Sequence, residues 1–457
     1  MDDSNKFSAV FGTNGGSGGG GGGGLTSVDI QNTLYVAKNG NDSTGVRNDL
    51  SKPFLTISGA SASSLSGDAI YVFSGTYQEV GTESFVSLRM YYLELGVVVS
   101  NELSPVIDDS SQPKVLKIYG QGEIRGGGGD TGDGVGGVAL FEEETQLYLQ
   151  CKTITTNKYQ WSINVENILC EIDVFEILLQ TGGNGIKVIE DTRGYINFNT
   201  FYSGRDGGDN INISLENVGG VNETPAFFLR GQKATIDFTA TALGGSGIVL
   251  DSKASVGLKN TIVVEIDEIQ VLAPETSTYL TINDAGTTGI VRFNNTRIFV
   301  TPSIRTNRII VADGDVYFRN VTIQNGGGIE LTGTTRSSNF VMFNCNMVSD
   351  TPCITTNNTG VKVNLMNSTF YNTRLSGAPT TGVIFLNAAQ FGFFHVNNVI
   401  LYAQDPASNN SIASLSAATI SIQGFFGSNS AMTTNILNNI AGTTNTVDSD
   451  ILLPNII

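Results

Sequence analysis

A single histidine, His395, occurs in 457 residues. Mechanisms that need two imidazoles of one chain are therefore excluded, and so is a multi-histidine metal site. Cysteine is scarce too. Cys151, Cys170, Cys345 and Cys353 show no Cys-x-x-Cys spacing and are too few to staple so long a chain. Buried free thiols are expected, with a Cys345–Cys353 bridge as the alternative. Charged residues make up only 15%, against about 25% in ordinary soluble proteins. They are unevenly divided, 25 Lys+Arg against 42 Asp+Glu, for a net charge of −17. That balance argues against a nucleic-acid or anionic-membrane partner. No apolar run reaches the ~18 residues that would cross a bilayer. Met1-Asp2-Asp3-Ser4 lacks the basic start and apolar stretch of a secretory signal.

Glycine is abundant, at 55 residues, and hydrophobic residues reach 40%, enough for a large core. Residues 1–32 stand apart. They hold seven consecutive glycines, Gly18 to Gly24, which predict a flexible tail. Phe7, Val10 and Phe11 precede the run and are candidate apolar anchors for a larger assembly.

From Thr33 the pattern is short strands rich in Val, Ile, Tyr and Phe, separated by Gly, Asn, Asp, Ser or Thr. Helical periodicity is confined to a short stretch around Leu55–Leu65. An element reading apolar, any, Asn, any, any, apolar recurs around Asn167, Asn260, Asn295, Asn320, Asn367 and Asn398, with a degenerate copy centred on Cys345. A repeat of 20-odd residues in strand-rich sequence predicts a solenoid, whose turns must stack because none buries its apolar face alone. Asparagine tolerates left-handed backbone at a bend, and stacked copies can bond from coil to coil as a ladder.

One segment is more specific. Leu34-Tyr35-Val36-Ala37-Lys38-Asn39-Gly40-Asn41-Asp42-Ser43-Thr44-Gly45 is followed by Lys52-Pro53-Phe54-Leu55-Thr56-Ile57, then by Gly67-Asp68-Ala69-Ile70-Tyr71-Val72-Phe73-Ser74-Gly75-Thr76-Tyr77-Gln78-Glu79. It resembles the opening segment of right-handed parallel β-helix proteins of the pectate-lyase-like superfamily. The resemblance implies an all-β solenoid over residues 33–423 and a C-terminal cap or tail at 424–457. It also implies a short helix, with Ile57, Ala60 and Leu65 as candidates for its inner face, that caps the first coil and shields its edge. At ~24 residues per coil, ~16 coils would make a rod near 75 Å long.

The superfamily holds polysaccharide lyases and hydrolases as well as viral tailspikes, fibres and capsid-decorating proteins. The Gly-rich tail and the segment Ile420–Pro454 are similar to the viral branch. The expectation is a structural virion protein, homotrimeric, held to other virion proteins by its tail and serving attachment, with a cell-surface glycan as a further partner. A β-helix polysaccharide enzyme or a cell-surface adhesin are the alternatives. No cofactor or metal is expected.

Catalysis at a glycosidic bond needs a carboxylate pair, or a base beside a cation. Arg205, Asp206 and Asp209 form the best acidic cluster. Glu142–Glu144, Asp313 with Asp315, and Glu265 with Asp267 and Glu268 are others. Asp-Gly turns and solvated acidic faces explain each of them more simply. The glycines at 126–129 are not a phosphate loop, since no Gly-Lys-Ser/Thr follows. Asp130 and Asp133 beside them are hard-cation ligands by type, although a surface loop is the simpler reading.

Overall fold

The structure, a computed structural model, describes residues 32–427 except 79–84, 87, 101–104, 107–114, 127–134, 139–144, 157–160, 180–183, 205–209, 217–225, 238–246, 254–258, 273–277, 284–288, 302–307, 333–337, 358–360, 374–382, 387–392, 404–411 and 415–419. These residues form a right-handed parallel β-helix of three walls. Every strand pairing is parallel, as expected of a chain that returns to the same wall after each coil. Wall 1 begins at Thr33–Val36 and ends in the first half of Ile420–Gly427. Wall 2 begins at Gly75–Gln78. Wall 3 contains strands such as Trp161–Glu166, Asn184–Ile189 and Ile211–Leu215. No described helix is long and apolar enough to cross a membrane.

Alternation of side chains builds the core. One inward column of wall 1 reads Leu34, Ile70, Tyr91, Ile118, Leu149, Ile172, Ile196, Leu229, Val264, Phe293, Phe318, Met342, Leu365 and Val396, each in register with the next. All are at most 2% exposed. Phe293 and Phe318 stack with ring centroids 5.0 Å apart.

The coils are unequal. The register advances 36 residues from Thr33 to Ala69 but 21 from Ala69 to Met90. The walls therefore repeat in space without a fixed period in sequence. The variation lies between wall 2 and wall 3 and between wall 3 and wall 1. The corner between walls 1 and 2 varies as well in the first three coils, from Ile70 to Tyr77, Tyr91 to Val99 and Ile118 to Ile124, but from Leu149 onward it is constant, with inward neighbours five positions apart, such as Ile172 and Ile177, Phe318 and Ile323, or Val396 and Leu401.

That corner carries the asparagine ladder. Asn295, Asn320, Asn344, Asn367 and Asn398 all hold left-handed φ of 49–55°. Asn320 Nδ2 donates to Asn295 Oδ1 at 2.8 Å, Asn344 Nδ2 to Asn320 Oδ1 at 2.8 Å, and Asn398 Nδ2 to Asn367 Oδ1 at 2.9 Å. The copy predicted as degenerate is intact, with Asn344 rather than Cys345 at its centre. Asn167 and Asn260 fit the sequence pattern but sit where wall 3 turns into wall 1. Asn167 is left-handed (φ 52°), donates to Glu190 and accepts from Asp191 N at 3.2 Å. Asn260 is fully buried and donates to Leu215 O at 3.1 Å. An Asn after an apolar residue marks a bend, and such bends occur at two different corners.

The first strand has its outer edge occupied. Asn48 N donates to Thr33 O, Phe54 N to Tyr35 O, and Ala37 N to Phe54 O, all within 2.8–2.9 Å. Asp42 fixes this segment by accepting from Leu55 N and Thr56 N at 2.8 and 3.0 Å. Thr56 then caps the helix Ile57–Ser63 through Gly59 N. The helix buries Ile57, Ala60 and Ser61. Leu65 lies beyond its end and is 60% exposed, not inward. The hydrogen bonds that cover the first strand's edge thus come from residues 48–54, ahead of the helix. The four cysteines are free and buried. The Cys345 and Cys353 thiols point to Phe318 O and Tyr371 O.

Candidate functional site

The corner between walls 1 and 2 changes character in the middle of the rod. From Phe293 onward, the second of the four residues between inward neighbours is a left-handed Asn. In three earlier coils it is Cys151, Val174 and Phe198, each 4% exposed. An apolar residue there points inward, so the backbone stays extended. Twelve-residue strands, Thr145–Thr156, Ile168–Leu179 and Arg193–Gly204, then run unbroken through the corner. Their neighbours at the first and third positions must project outward.

These side chains line a shallow groove of about 500 Å³. Its floor is Cys151, Val174 and Phe198, and its sides are Gln121, Gln150, Lys152, Asp173, Phe175, Asn197 and Asn199. Phe175 is 56% exposed. Asn197 Nδ2 donates to Asp173 Oδ1 at 2.8 Å, while Asn197 Oδ1 is buried and has no partner among the described residues. The Tyr195 hydroxyl lies 3.4 Å from both Glu171 Oε2 and Asp173 Oδ2. Burial first, then the charges of Asp173 and Glu171, push the Tyr195 phenol well above its ordinary range.

The outward column of wall 1 that contains Gln150, Asp173 and Asn197 begins with Tyr35, Tyr71, Tyr92 and Tyr119 in consecutive register. Tyr71 and Tyr92 stack at 5.0 Å, and burial with the nearby Glu94 charge pushes Tyr71 up to about 12. These rings face one another, so they bind coil to coil.

A second acidic feature lies where wall 3 meets wall 1. Glu166 bonds to Glu190, whose backbone is left-handed at φ 60°. Burial and then the Glu190 charge raise the Glu166 carboxyl above its ordinary range, against a lowering contribution from Lys187.

Of the residues singled out from sequence, Arg205, Asp206, Asp209, Glu142–Glu144, Asp130, Asp133, Phe7, Val10 and Phe11 lie outside the described residues. The residues flanking 205–209 are fixed, for Ser203 and Asn210 are fully buried and bonded to each other. Asp313 and Asp315 are buried, not gathered on an outer face, and Asp315 pairs with Lys259 at 2.5 Å. Glu265 pairs with Arg230 and Glu268 with Lys233, both at 3.0 Å. His395 is a half-buried outward residue of wall 1, in register with Asn364. Among the described residues no group of three or more His, Cys, Asp or Glu could hold a metal ion.

Sequence reasoning missed the groove because its signal is a missing asparagine. Ile172-Asp173-Val174-Phe175-Glu176-Ile177 has the corner spacing with Val174 in the ladder position. No family model, curated protein or solved structure matches the chain.

Proposed function

We propose that the chain is a structural protein of a virion, a fibre, spike or capsid-decorating rod that serves attachment. In this reading residues 1–32, through Phe7, Val10 and Phe11, tether the rod to other virion proteins, and three copies associate. The observation that carries it is the continuous inward column from Leu34 to Val396, the core of a long rod of hydrogen-bonded coils. Such a stack suits exposure outside a cell, because its stability sums over neighbouring coils. The low-lysine, acidic composition also discourages adhesion to nucleic acid. The test is electron cryo-microscopy of purified native particles with antibody against the rod. Regular decoration by rods is expected. Antigen found only in the soluble fraction, with bare particles, would overturn the reading.

One observation favours a second reading, a polysaccharide-cleaving enzyme. Glu171 and Asp173 share the Tyr195 hydroxyl, so their facing carboxylate oxygens lie no more than about 7 Å apart, a limit that admits the ~5–5.5 Å separation of retaining glycosidases. Release of reducing ends from a polysaccharide panel, abolished by Glu171→Gln and by Asp173→Asn, would establish it.

A further inference from the structure

We infer that residues 25–30 of the chain dock across an exposed apolar corner at the tip of the rod, formed by Val46, Leu50 and Leu65. The joint of the tail is then the glycine run ahead of Leu25, not the junction with wall 1. This stands apart from the attachment reading, since it does not depend on what the far end of the tail holds.

Val46, Leu50 and Leu65 are 41%, 47% and 60% exposed, and hydrogen bonds gather them around one residue. Asn32 Nδ2 donates to Asp68 Oδ1 at 3.2 Å, and Leu65 N donates to Asp68 Oδ2 at 2.7 Å. On its other side Asn32 Oδ1 accepts from Asn48 Nδ2 at 2.7 Å. Val46 and Leu50 stand on either side of Asn48 in the same turn, closed by Asp49 N to Val46 O at 3.3 Å. Arg47 ties the two halves together, pairing with Asp68 at 2.9 Å and donating to Ser63 O at 3.2 Å. Its Nε is a buried donor with no partner among the described residues.

Asn32 is the first described residue, so the chain enters the rod through this corner. The residues before it read Leu25-Thr26-Ser27-Val28-Asp29-Ile30-Gln31. Val28 and Ile30 fall on the strand parity of Leu34 and Val36, the side that wall 1 buries. At ~3.3 Å per residue, Ile30 is within ~7 Å of Asn32 and Val28 within ~13 Å. Two apolar residues are thus tethered beside three exposed ones, at the high effective concentration of a short linker. A backbone carbonyl of the same stretch is the acceptor that Arg47 Nε calls for. Ahead of Leu25 stand seven glycines, which have no side chain to pack.

A second copy of the rod is the competing occupant. The three side chains together expose the equivalent of about one and a half, far short of the ~800 Å² that each partner of a stable complex covers. The patch suits a short segment that is already attached.

The experiment is hydrogen-exchange mass spectrometry on the full chain, with sedimentation velocity at the same concentrations. Amides of residues 27–31 should exchange at least tenfold more slowly than an unstructured peptide, and those of Gly18 to Gly24 at the unstructured rate. Leu50→Ser and Leu65→Ser should each speed exchange in 27–31 at least threefold. Leu95→Ser, at a leucine 58% exposed at the corner between walls 1 and 2, should leave it unchanged. Near-ultraviolet circular dichroism of each variant checks that the rod is kept. As a measurement on the otherwise unaltered corner, Ile30→Cys with Leu65→Cys should close a disulfide on mild oxidation, and Ile30→Cys with Leu95→Cys should not. Unprotected amides in 27–31, protection that survives both serine variants, or equal disulfide yields would each overturn the proposal. Protection that rises with concentration alongside a dimer would also overturn it, and would give the corner to a second copy. Decorated particles with an unprotected segment would remove this docking and leave the attachment reading standing. Bare particles with a protected segment would do the reverse.

Discussion

Replacing Asn320 separates the two contributions that an asparagine makes to the ladder. Asn320 is exposed, holds φ at 55°, donates to Asn295 and accepts from Asn344, both at 2.8 Å. Asn320→Gly removes both side-chain bonds but leaves a residue at ease in the left-handed region. At about 0.5–1.5 kcal/mol per bond, with solvent competing at an exposed site, the expected loss is ~1–2 kcal/mol. Asn320→Ala removes the same bonds and forces an ordinary L-residue into left-handed backbone for ~1 kcal/mol more, ~2–3 kcal/mol in all. A solenoid need not unfold in one step, so the assay is native-state hydrogen exchange, which reads local opening. The reporters are the amides of Asn295, Asn320 and Asn344, which donate across the coils to Arg319 O, Phe343 O and Met366 O. With 1.4 kcal/mol per factor of ten, protection should fall roughly 30- to 140-fold in the alanine variant and roughly 5- to 30-fold in the glycine one. The amides of Gly67 and Asp68 at the far end should not change. Equal losses for Ala and Gly would refute the backbone part of the argument, and no loss in either would refute the ladder's energetic role.

Three further outcomes follow from the buried and titrating groups. The four thiols should not react with a soluble disulfide reagent at neutral pH until denaturant is added, because all are buried and burial raises each of them, Cys345 to about 11; prompt labelling of any one would contradict the packing. Because the Glu166 carboxyl is raised on folding, its contribution to stability is present below the ordinary carboxylate range and is lost as pH rises through the raised value. Glu166→Gln should therefore match the parent's melting temperature near pH 4 and exceed it at pH 7, and the opposite order would show that Glu190 does not oppose its charge. Tyr71 and Tyr119 are raised to about 12, so their share of stability is full below pH 10 and lost between pH 10 and 12. Spectrophotometric titration should show phenols ionising late in the folded rod, and ionisation of every tyrosine near pH 10 would refute it.

The opening segment was legible because it is dense in residues with one structural use each. Asp42 must accept the amides ahead of the helix, and Gly59 must lack a side chain because a Cβ there would come within 2.4 Å of Asp42. The walls were legible from alternation. The ladder was legible only in part, because Asn344 is followed by Cys345 and Asn346, so the pattern read one residue late. Asn167 and Asn260 satisfy the same spelling at another corner, and spelling alone does not number corners. The groove was illegible for a different reason. Val174 in place of Asn looks like one more core residue, and only the extended corner shows that Asp173 and Phe175 must then face outward. Acidic clusters drew notice by composition, yet Glu265, Glu268 and Asp315 are each neutralised by a cation that is distant in sequence.

The step between walls 1 and 2, constant from Leu149 onward, has an engineering consequence. A graft of several residues between Thr301 and Arg308 joins two walls whose separation already differs from coil to coil, so foreign epitopes inserted there should display without disturbing the layers beneath. One residue added between Phe318 and Ile323 is another matter. It would reverse the parity of the strand that follows, expose Ile323 and drive Thr322 toward the interior. The rod therefore offers two edges open to cargo and a third that works as its measuring rule.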